Sequence, residues 1–328
     1  KVMSRLDIAQ KGLPQDGRSM VLIAGRKIDI RVSTVPTVHG EKIVMRLLFQ
    51  EEKLMQLPQL GLAKYILQPY LNMVNSSGGI ILVTGPTGSG KTTTLYASLA
   101  EIDNEARNII TIEDPVEYKL SGYSQIEVKP KVGLTFANAL RSVLRQDPDV
   151  IMVGEIRDTE TAQIAIQSAL TGHLVFSTVH TNSGPATITR LIDMGIEPFL
   201  VSSSIIGVLA QRLVRRICPD CRKSYQPHPE QLRELGIKEV SFRKLDRRFY
   251  RGDGCDNCRH TGYRGRIGIH ELLVMSEGVK NTILESSDSD TIKKQGLKEK
   301  MITLRRDGVN KILYGLTTAE EILSITSE

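Results

Sequence analysis

The sequence IILVTGPTGSGKTTTLYASL, residues 80–99, decides the fold of this chain. Apolar residues come first, a glycine-rich turn follows, and the remainder reads as a helix, so we predict a strand, a turn and a helix in that order. Residues 85–92 fit the pattern G-x-x-x-x-G-K-[ST] at every fixed position. Glycines let successive backbone N–H groups converge on one point, and the helix N-terminus adds positive charge. The turn is therefore a predicted P-loop that binds a polyphosphate.

The residues of this loop have separate predicted roles. Lys91 would reach the β- and γ-phosphates, and the Thr92 hydroxyl would bind Mg²⁺. The alternative is a glycine-rich turn that binds nothing, but the strand before it and the helix after it favour nucleotide binding, with ATP and Mg²⁺ as cofactors. The predicted nucleotide-binding residues are Gly85, Pro86, Thr87, Gly88, Ser89, Gly90, Lys91, Thr92 and Thr93.

Length and composition are those of a soluble globular protein. The chain has 328 residues, of which 40% are hydrophobic and 24% charged, and this length allows two or three domains. No apolar run approaches the ~18 residues that a membrane-spanning helix needs, and the sequence contains no signal-peptide pattern. Because the chain opens at Lys1 without an initiator methionine, we expect it to lack an N-terminal portion of a longer protein.

The net charge of +6 suits an acidic partner such as nucleic acid or anionic lipid. Scattered, solvated Lys and Arg side chains are the alternative, which we favour at this net charge. Aromatic residues make up 5% of the chain and tryptophan is absent, which argues against the stacking surface of a nucleic-acid-binding protein. We therefore do not expect nucleic acid as a partner.

Residues 1–50 predict a small β-rich unit. Ile28, Ile30 and Val32 alternate with polar residues, which indicates a half-buried strand, and a further strand is predicted at 43–48 after a turn-like stretch. Arg31, in the first of these strands, and Arg46, in the second, would project from the sheet. By default, either arginine is expected to be a surface residue without a further function.

After the P-loop, strands and helices alternate, which predicts a parallel sheet with right-handed crossovers. Predicted strands lie at 109–112, 150–153 and 174–179. Predicted helices lie at 62–74, 135–146, 159–170, 186–194 and 201–214, and Arg141 and Arg145 share one face of the second of these.

Ligands of such sheets bind at the carboxyl ends of the strands. Glu113 and Asp114 follow the first of the predicted strands, Glu155 follows the second, and His180 follows the third. Glu155 could polarise a water for attack on the γ-phosphate, and Glu113 or Asp114 could reach Mg²⁺ through water. His180 could sense the γ-phosphate. The alternatives are a surface acid for Glu155 and a structural histidine for His180.

Four cysteines form two C-x-x-C pairs, Cys218 with Cys221 and Cys255 with Cys258. Two such pairs offer the four thiolates that a structural Zn²⁺ prefers. Disulfides and an iron–sulfur cluster are the alternatives, and a reducing compartment favours metal over disulfides. We predict a structural zinc site.

Four stretches together resemble the Walker A, Asp box, Walker B and His box motifs of the secretion ATPase superfamily. They are GPTGSGKT at 85–92, ITIEDPVEY at 110–118, VIMVGEIRD at 150–158 and GHLVFSTVHTN at 172–182. The resemblance covers nearly the whole chain. Further stretches are similar to type II secretion and type IV pilus assembly ATPases: DIRVSTVP, HGEKIVMRLL, DMGIEPFL, GVLAQRLVRRICPDC and GYRGRIGIHELL. The four cysteines argue against the members of the superfamily that retract pili.

The resemblance implies an α/β fold with a RecA-like P-loop NTPase core, a small N-terminal α+β (PAS-like) domain, a tetracysteine zinc insert and a C-terminal helical region. The implied division is a domain at 1–50, a linker at 51–62, the core at 63–214, the zinc-binding subdomain at 215–270 and the helical region at 271–328. In that superfamily, arginines of the N-terminal domain and of the core reach the nucleotide, and the matching positions are Arg31, Arg46, Arg141 and Arg145.

The resemblance also implies a homo-hexameric, cytoplasmic ATPase, peripheral on the inner membrane, that drives pseudopilus assembly and protein export. Its partners would be inner-membrane platform proteins. The superfamily's first N-terminal domain docks on these proteins, and we expect that domain to be missing from this chain. Acidic phospholipid is a further candidate partner. The alternatives are a motor for pilus assembly or DNA uptake, a RecA-type nucleic-acid translocase, and a zinc-bearing interaction module that only senses nucleotide.

Overall fold

The computed structural model describes residues 1–49, 54–239, 242 and 248–326, and the chain divides into two compact units. The first unit is Lys1–Leu54 together with Val116–Leu120, and the second is Met55–Pro115 together with Ser121–Glu328. Residue 50 of the predicted N-terminal domain and residues 51–53 of the predicted linker lie outside the described residues. The rest of that linker contains a 3-10 turn at Leu57–Leu60.

The first unit is built on a three-stranded antiparallel sheet with the strand order β1-β2-β3. Its strands are β1 (Gln15–Ile23), β2 (Arg26–Thr37) and β3 (Gly40–Phe49). The predicted alternation is found in part: Ile28 and Val32 are buried, but Ile30 between them is partly exposed, like the polar residues on either side of it. The helical component that the resemblance implied is not found in the described residues of this unit, which contain one 3-10 turn, Val2–Ser4. Along β1, partly buried and exposed residues alternate as far as Leu22, which is the pattern of a strand and not of a helix.

The second unit contains a seven-stranded sheet with the order β12-β9-β4-β8-β7-β5-β6. Neighbours from β9 to β6 pair in parallel, and β12 pairs antiparallel to β9. The predicted parallel α/β core is confirmed. The strands are β4 (Gly79–Thr84), β5 (Ile109–Glu113), β6 (Ser124–Glu127), β7 (Val150–Val153), β8 (Leu174–Val179), β9 (Ile205–Ile217) and β12 (Tyr263–Val274).

Bounds were predicted for five helices, at 62–74, 135–146, 159–170, 186–194 and 201–214, and the first four of them are found close to those bounds. Helix 159–170 and strand 174–179 match their predictions at both ends. The helices are α1 (Lys64–Val74), α2 (Lys91–Leu99), α3 (Phe136–Val143), α4 (Thr159–Leu170), α5 (Gly184–Asp193), α6 (Pro198–Ser204), α7 (Pro229–Glu234), α8 (Glu277–Glu285), α9 (Ser289–Lys298), α10 (Leu304–Leu313) and α11 (Ala319–Thr326).

The predicted helix at 201–214 is wrong. Helix α6 ends at Ser204, and the chain then forms the long strand β9. Strand β9 lies between β4 and β12, and its residues 207–211 are all buried. A strand buried on both faces reads as a continuous apolar run, which periodicity alone cannot distinguish from a buried helix. Ile205, Ile206 and Val208, which are β-branched, were the signal for a strand.

Four strands at the centre of the sheet are buried along their whole length: β4, β5, β7 and β8. Each fully buried aliphatic side chain stabilises the fold by roughly 1.5–3 kcal/mol, so these strands form a rigid platform. The carboxyl ends of all four strands lie at one edge of the sheet, because the strands are parallel. That edge carries the site described below.

The cysteine-containing part and the C-terminal helices share one hydrophobic core with the sheet. The second small sheet consists of β10 (Arg222–Tyr225) and β11 (Phe249–Gly252). Val214 of β9, Phe249 of β11 and Ile322 of α11 belong to the same buried cluster. The predicted domain boundaries at 214/215 and 270/271 fall within β9 and β12, and they stay predictions.

Among the described residues, the helices are too short or too polar to cross a lipid bilayer.

Candidate active site and metal centre

The P-loop has the geometry of an anion-binding turn. Strand β4 ends at Thr84, and α2 begins at Lys91. Gly88 and Gly90 have φ values of 78° and 88°, which only glycine adopts without strain. No side chain caps the first turn of α2, so its backbone N–H groups are available to a ligand. The turn can therefore accept a phosphate group at the helix N-terminus.

Strand β9 braces this loop through the buried side chain of Gln211. Its Nε2 donates a hydrogen bond of 2.7 Å to the Ser89 carbonyl, and its Oε1 accepts one of 2.7 Å from the Thr94 hydroxyl. A Cβ atom added at Gly85 would lie 2.4 Å from the Gln211 carbonyl oxygen. Glycine is thus required where the loop leaves β4 alongside β9.

Lys91 points back over the loop. Its Nζ donates hydrogen bonds to the carbonyls of Gly85, at 2.8 Å, and of Pro86, at 3.1 Å, and lies 3.5 Å from Nδ1 of His180. Burial lowers the pKa of Lys91, and the charge of Glu155 acts in the opposite direction. The ammonium group is therefore held in the loop by neutral acceptors that a phosphate oxygen can replace.

Glu155 follows β7 and is largely buried, with 13% of its side chain exposed. Oε1 lies 2.5 Å from Nη2 of Arg157, and Oε2 lies 3.5 Å from Nε2 of His180. His180 thus faces Lys91 with one ring nitrogen and Glu155 with the other. A neutral imidazole with its hydrogen on Nε2 satisfies both contacts, because Nδ1 then accepts from Lys91 and Nε2 donates to Glu155.

Glu113 and Asp114 have different surroundings. Glu113 is buried and accepts hydrogen bonds from Thr111, at 2.7 Å, from Gln125, at 3.0 Å, and from the Tyr96 hydroxyl. Protein donors therefore surround this carboxylate, which is typical of a structural acid. Asp114 is exposed, and its charge contributes, after that of Glu155, to raising the pKa of Arg157. The predicted contacts with Mg²⁺ through water stay predictions.

The predicted arginines lie in two places. In the first unit, Arg31 forms a bidentate pair with Glu117 at 3.1 and 3.2 Å, and Arg46 lies directly opposite Arg31 in the strand register. In the second unit, Arg141 pairs with Glu160 of α4 at 2.6 Å. Arg145 donates to the Arg141 carbonyl at 2.9 Å. Within the described residues, Arg141 and Arg145 make no hydrogen bond to the P-loop, so their predicted roles stay predictions.

Sequence reasoning missed three residues of this site: Arg157, Gln211 and Arg212. Arg157 belongs to the GEIRD stretch, two residues after Glu155, but its contact with that acid depends on the turn after β7. Gln211 and Arg212 are polar residues within an otherwise apolar run. Such an interruption is a signal for a functional position, and the wrong helix prediction hid it.

The four cysteines converge on one point. Their Sγ atoms lie within 4.8 Å of one another, with 3.8 Å between Cys218 and Cys255 and 3.9 Å between Cys221 and Cys258. Sulfurs bound tetrahedrally at ~2.3 Å from one zinc ion lie about 3.8 Å apart. A disulfide requires about 2.05 Å, and none of the four cysteines is in a disulfide.

The protonation of Cys258 also suits a metal ligand. Burial raises the pKa of its thiol, but hydrogen bonds from the backbone N–H groups of Cys255 and Gly262 and from the Cys255 and Cys221 thiols together bring the pKa to about 6. The pKa values of Cys221 and Cys255 are raised, so within the cluster Cys258 is the cysteine whose thiolate is favoured. Metal ions bind the thiolate, so a low thiol pKa favours binding. The residues present can therefore hold a metal ion of the zinc type.

A family model described as type II/IV secretion system protein matches residues 1–324. The chain belongs to the type II/IV secretion system protein family. The resemblance inferred from the sequence motifs is confirmed. The type II secretion system ATPase E of Vibrio cholerae is 50% identical over all 328 residues, which span 64% of that protein. The type IV pilus assembly ATPase PilB of Thermus thermophilus is 49% identical over the same residues, which span 37% of it.

A solved structure agrees with the α/β core. The crystal structure of the pilus retraction motor PilT with bound ADP aligns with 97% of this chain and 78% of that chain, with a TM-score of 0.69 and 28% identity. The chain spans less than two thirds of the length of its Vibrio relative in the type II/IV secretion family.

Proposed function

We propose that this chain hydrolyses ATP as the motor of a type II secretion system, and that hydrolysis drives pseudopilus assembly and protein export. One observation carries the proposal. The adjacent strands β4, β8 and β7 bring Lys91, His180 and Glu155 to one edge of the sheet, and His180 contacts both of the others. A P-loop lysine joined to a strand-end carboxylate through an imidazole is an arrangement suited to phosphoryl transfer to water.

The proposed reaction is an in-line displacement at the γ-phosphorus. The oxygen of a water attacks, the bond from phosphorus to the bridging oxygen of ADP breaks, and the water proton passes to Glu155. Backbone N–H groups of the loop and Lys91 hold the phosphates. Mg²⁺, bound with the help of the exposed Thr92 hydroxyl, would neutralise charge on the β- and γ-oxygens.

Lys91 is prepared for this role before nucleotide binds. Its two carbonyl acceptors, on Gly85 and Pro86, are neutral. A phosphate oxygen is a stronger acceptor for an ammonium group, so the partner exchange is favourable. His180 then remains next to Lys91 and can link the presence of the terminal phosphate to the orientation of Glu155.

The predicted arginines fit a proposal of catalysis between subunits. Arg141 is exposed on α3, Arg145 is exposed just after α3 ends at Val143, and Arg46 is exposed on β3. Exposed arginines that complete a site only after assembly would couple hydrolysis to movement of neighbouring units. We propose a homo-hexamer in which these residues and Arg31 reach nucleotide.

The metal proposed for the four cysteines is a structural zinc ion. Four thiolates leave no open coordination position for a substrate, which is typical of structural sites. Cys218 follows β9 directly, and Cys255 and Cys258 precede β12, so the ion would hold together the ends of two paired strands.

Charge supports a proposed position on the cytoplasmic face of the inner membrane, bound to platform proteins and to acidic phospholipid. Residues 215–225 and 248–266, which flank the cysteines, contain nine Lys and Arg residues and three acidic residues. That surplus equals the net charge of the whole chain, +6. Within the described residues, Arg216, Arg259 and Arg266 form no ion pair, so they are free to meet an anionic surface.

A motor for type IV pilus assembly is the second candidate. The specific observation in its favour is that PilB of Thermus thermophilus is 49% identical, against 50% for the Vibrio secretion ATPase, so identity does not separate the two roles. Complementation decides between them. We expect the full-length gene to restore secretion in a strain that lacks its type II secretion ATPase and to leave a pilus-assembly mutant unpiliated, whereas the opposite pattern would favour the pilus role.

Nucleotide binding and turnover test the proposed activity. We expect Mg²⁺-dependent release of phosphate from ATP and a loss of nucleotide affinity of about 100-fold in Lys91→Ala, because a charge-assisted contact is removed. Lys64→Ala is the matched control, since Lys64 is also the first residue of a helix but is exposed. A chain that binds ATP without any turnover as a hexamer would favour the nucleotide-sensing module instead.

A further inference from the structure

Arg212 lies beside the start of the P-loop. Strand β9 pairs in parallel with β4, and Ala210 is the register partner of Thr84, the last residue of β4. The next residues of β9, Gln211 and Arg212, therefore run alongside the first residues of the loop. Gln211 supports the loop from this position through its contact with Ser89.

The side chain of Arg212 reaches across the end of β4. Its Nη2 donates a hydrogen bond of 2.9 Å to Oδ1 of Asn182, which follows β8. In the sheet, β4 lies between β9 and β8. The guanidinium group must therefore pass the carboxyl end of β4, where the P-loop begins.

The positive charge of Arg212 is not compensated by a neighbouring acid, which favours the binding of an anion. Among the described residues its hydrogen-bond partner is a neutral amide, and it forms no ion pair. Burial lowers the pKa of Arg212, and Arg212 in turn helps to lower the pKa of Lys91. The nearby carboxylate of Glu155 is already paired with Arg157. Lys91 and Arg212 are thus two partly buried cations that lie close together, and the one nearby carboxylate does not balance both charges. This arrangement costs free energy until an anion binds.

We propose that Arg212 is a binding residue for the phosphates of the nucleotide, and that it contacts them from the β9 side while Lys91 contacts them from the loop. The inference rests on the proposed nucleotide-binding function. Guanidinium groups bind phosphate oxygens through two N–H donors, and Arg212 uses one of its five for Asn182. Asn182 is then a positioning residue that orients the guanidinium.

Substitution tests this role. We expect Arg212→Gln to weaken the binding of a fluorescent ATP analogue by about 10- to 100-fold, which is the range for one charge-assisted contact. The affinity for inorganic tripolyphosphate, measured by its displacement of that analogue, should fall by a similar factor. Asn182→Ala is the matched control, since it removes the partner and leaves the guanidinium. We expect Asn182→Ala to lose less than about fivefold, because only orientation is affected.

A purely structural role predicts the opposite pattern. Both variants would then lower the melting temperature similarly, and neither would change affinity for the ATP analogue or for tripolyphosphate at a temperature where both are folded. That result would overturn the inference. If the wild-type chain bound no nucleotide, the proposed function itself would fail, so the two failures are distinguishable.

A second measurement on the wild-type chain keeps the test independent of folding. Phenylglyoxal modifies accessible arginines, and mass spectrometry locates the product. We expect saturating nucleotide to protect Arg212 by at least about tenfold, as one direct contact of this kind would. Arg216, which is exposed on the same strand, should react equally with and without nucleotide. Equal modification of Arg212 in both conditions would contradict the proposal.

Discussion

Nη2 of Arg157 lies 2.5 Å from Oε1 of Glu155, so an exposed guanidinium holds one oxygen of a largely buried carboxylate. The two residues are separated by one position, and Ile156 between them is buried. The other oxygen of Glu155 remains directed at His180. Arg157 therefore fixes which oxygen of Glu155 faces the P-loop, which makes it a positioning residue in the proposed reaction.

Replacing Arg157 should affect turnover more than stability. We expect Arg157→Gln to lower kcat about tenfold with little change in KM, because a misplaced general base slows the chemical step. Since the Arg157 side chain is 65% exposed, the pair should contribute at most about 1 kcal/mol to folding. Steady-state kinetics and thermal unfolding measure both. Lys280→Gln, which breaks an exposed pair with Glu277, is the control, and an unchanged kcat in Arg157→Gln would refute the positioning role.

The amide of Gln211 should stabilise the loop. Gln211→Leu leaves the Ser89 carbonyl and the Thr94 hydroxyl without this partner in a buried place, which costs about 1–3 kcal/mol. We expect a melting temperature lower by several degrees and weaker nucleotide binding. A double-mutant cycle with Thr94→Val should give a coupling energy of at least about 0.5 kcal/mol. Strict additivity would mean that the two side chains do not interact.

Stability should fall in mild acid because of His270. This residue of β12 is fully buried, and burial, followed by the charge of Lys311, lowers its pKa well below the usual value. The unfolded chain takes up a proton below about pH 6.5, whereas the folded chain does not, so stability decreases as pH falls, by about 1.4 kcal/mol per pH unit. Lys311 is itself held against Asp307, which accepts from Tyr65 at 2.6 Å.

Urea unfolding between pH 7.5 and 5.5 measures this effect. We expect His270→Gln to remove most of the slope that His270 contributes, even if the variant is less stable at every pH. Identical slopes for the wild type and His270→Gln would show that His270 is protonated equally in both states.

Zinc removal should loosen the strand ends that carry the cysteines. We expect one zinc ion per chain by elemental analysis, and none in Cys258→Ser, whose remaining ligands are three thiolates. The melting temperature should fall by several degrees, because Cys218 and Cys255 would no longer be joined. Zinc retained at one per chain when Cys218, Cys221, Cys255 and Cys258 are all replaced by serine would show that the ion binds elsewhere.

The sequence predicted the features that depend on local pattern. The P-loop signature, the strand at 174–179 and the helix at 159–170 each contain enough information within a few residues. The strand ends also gave the right edge of the sheet, because the carboxyl ends of parallel strands must meet there. Lys91, His180 and Glu155 could therefore be grouped before their distances were known.

The features that escaped prediction depend on which strands become neighbours. Periodicity could not show that β9 is a strand, and hence could not place Gln211 and Arg212 beside the loop. The surroundings of Glu113 are another case, since Tyr96 of α2 and Gln125 of β6 reach it from distant parts of the sequence. Side-chain partners of this kind follow from tertiary packing and not from local propensity.

The most direct test of the account is the turnover of Glu155→Gln. The substitution keeps the size and the hydrogen-bonding capacity of the side chain but removes the base that accepts the water proton. We predict that phosphate release from ATP falls by at least about 100-fold while nucleotide affinity stays within about twofold, and that Glu101→Gln, an exposed acid, changes neither. Hydrolysis at the wild-type rate in Glu155→Gln would contradict the proposed mechanism.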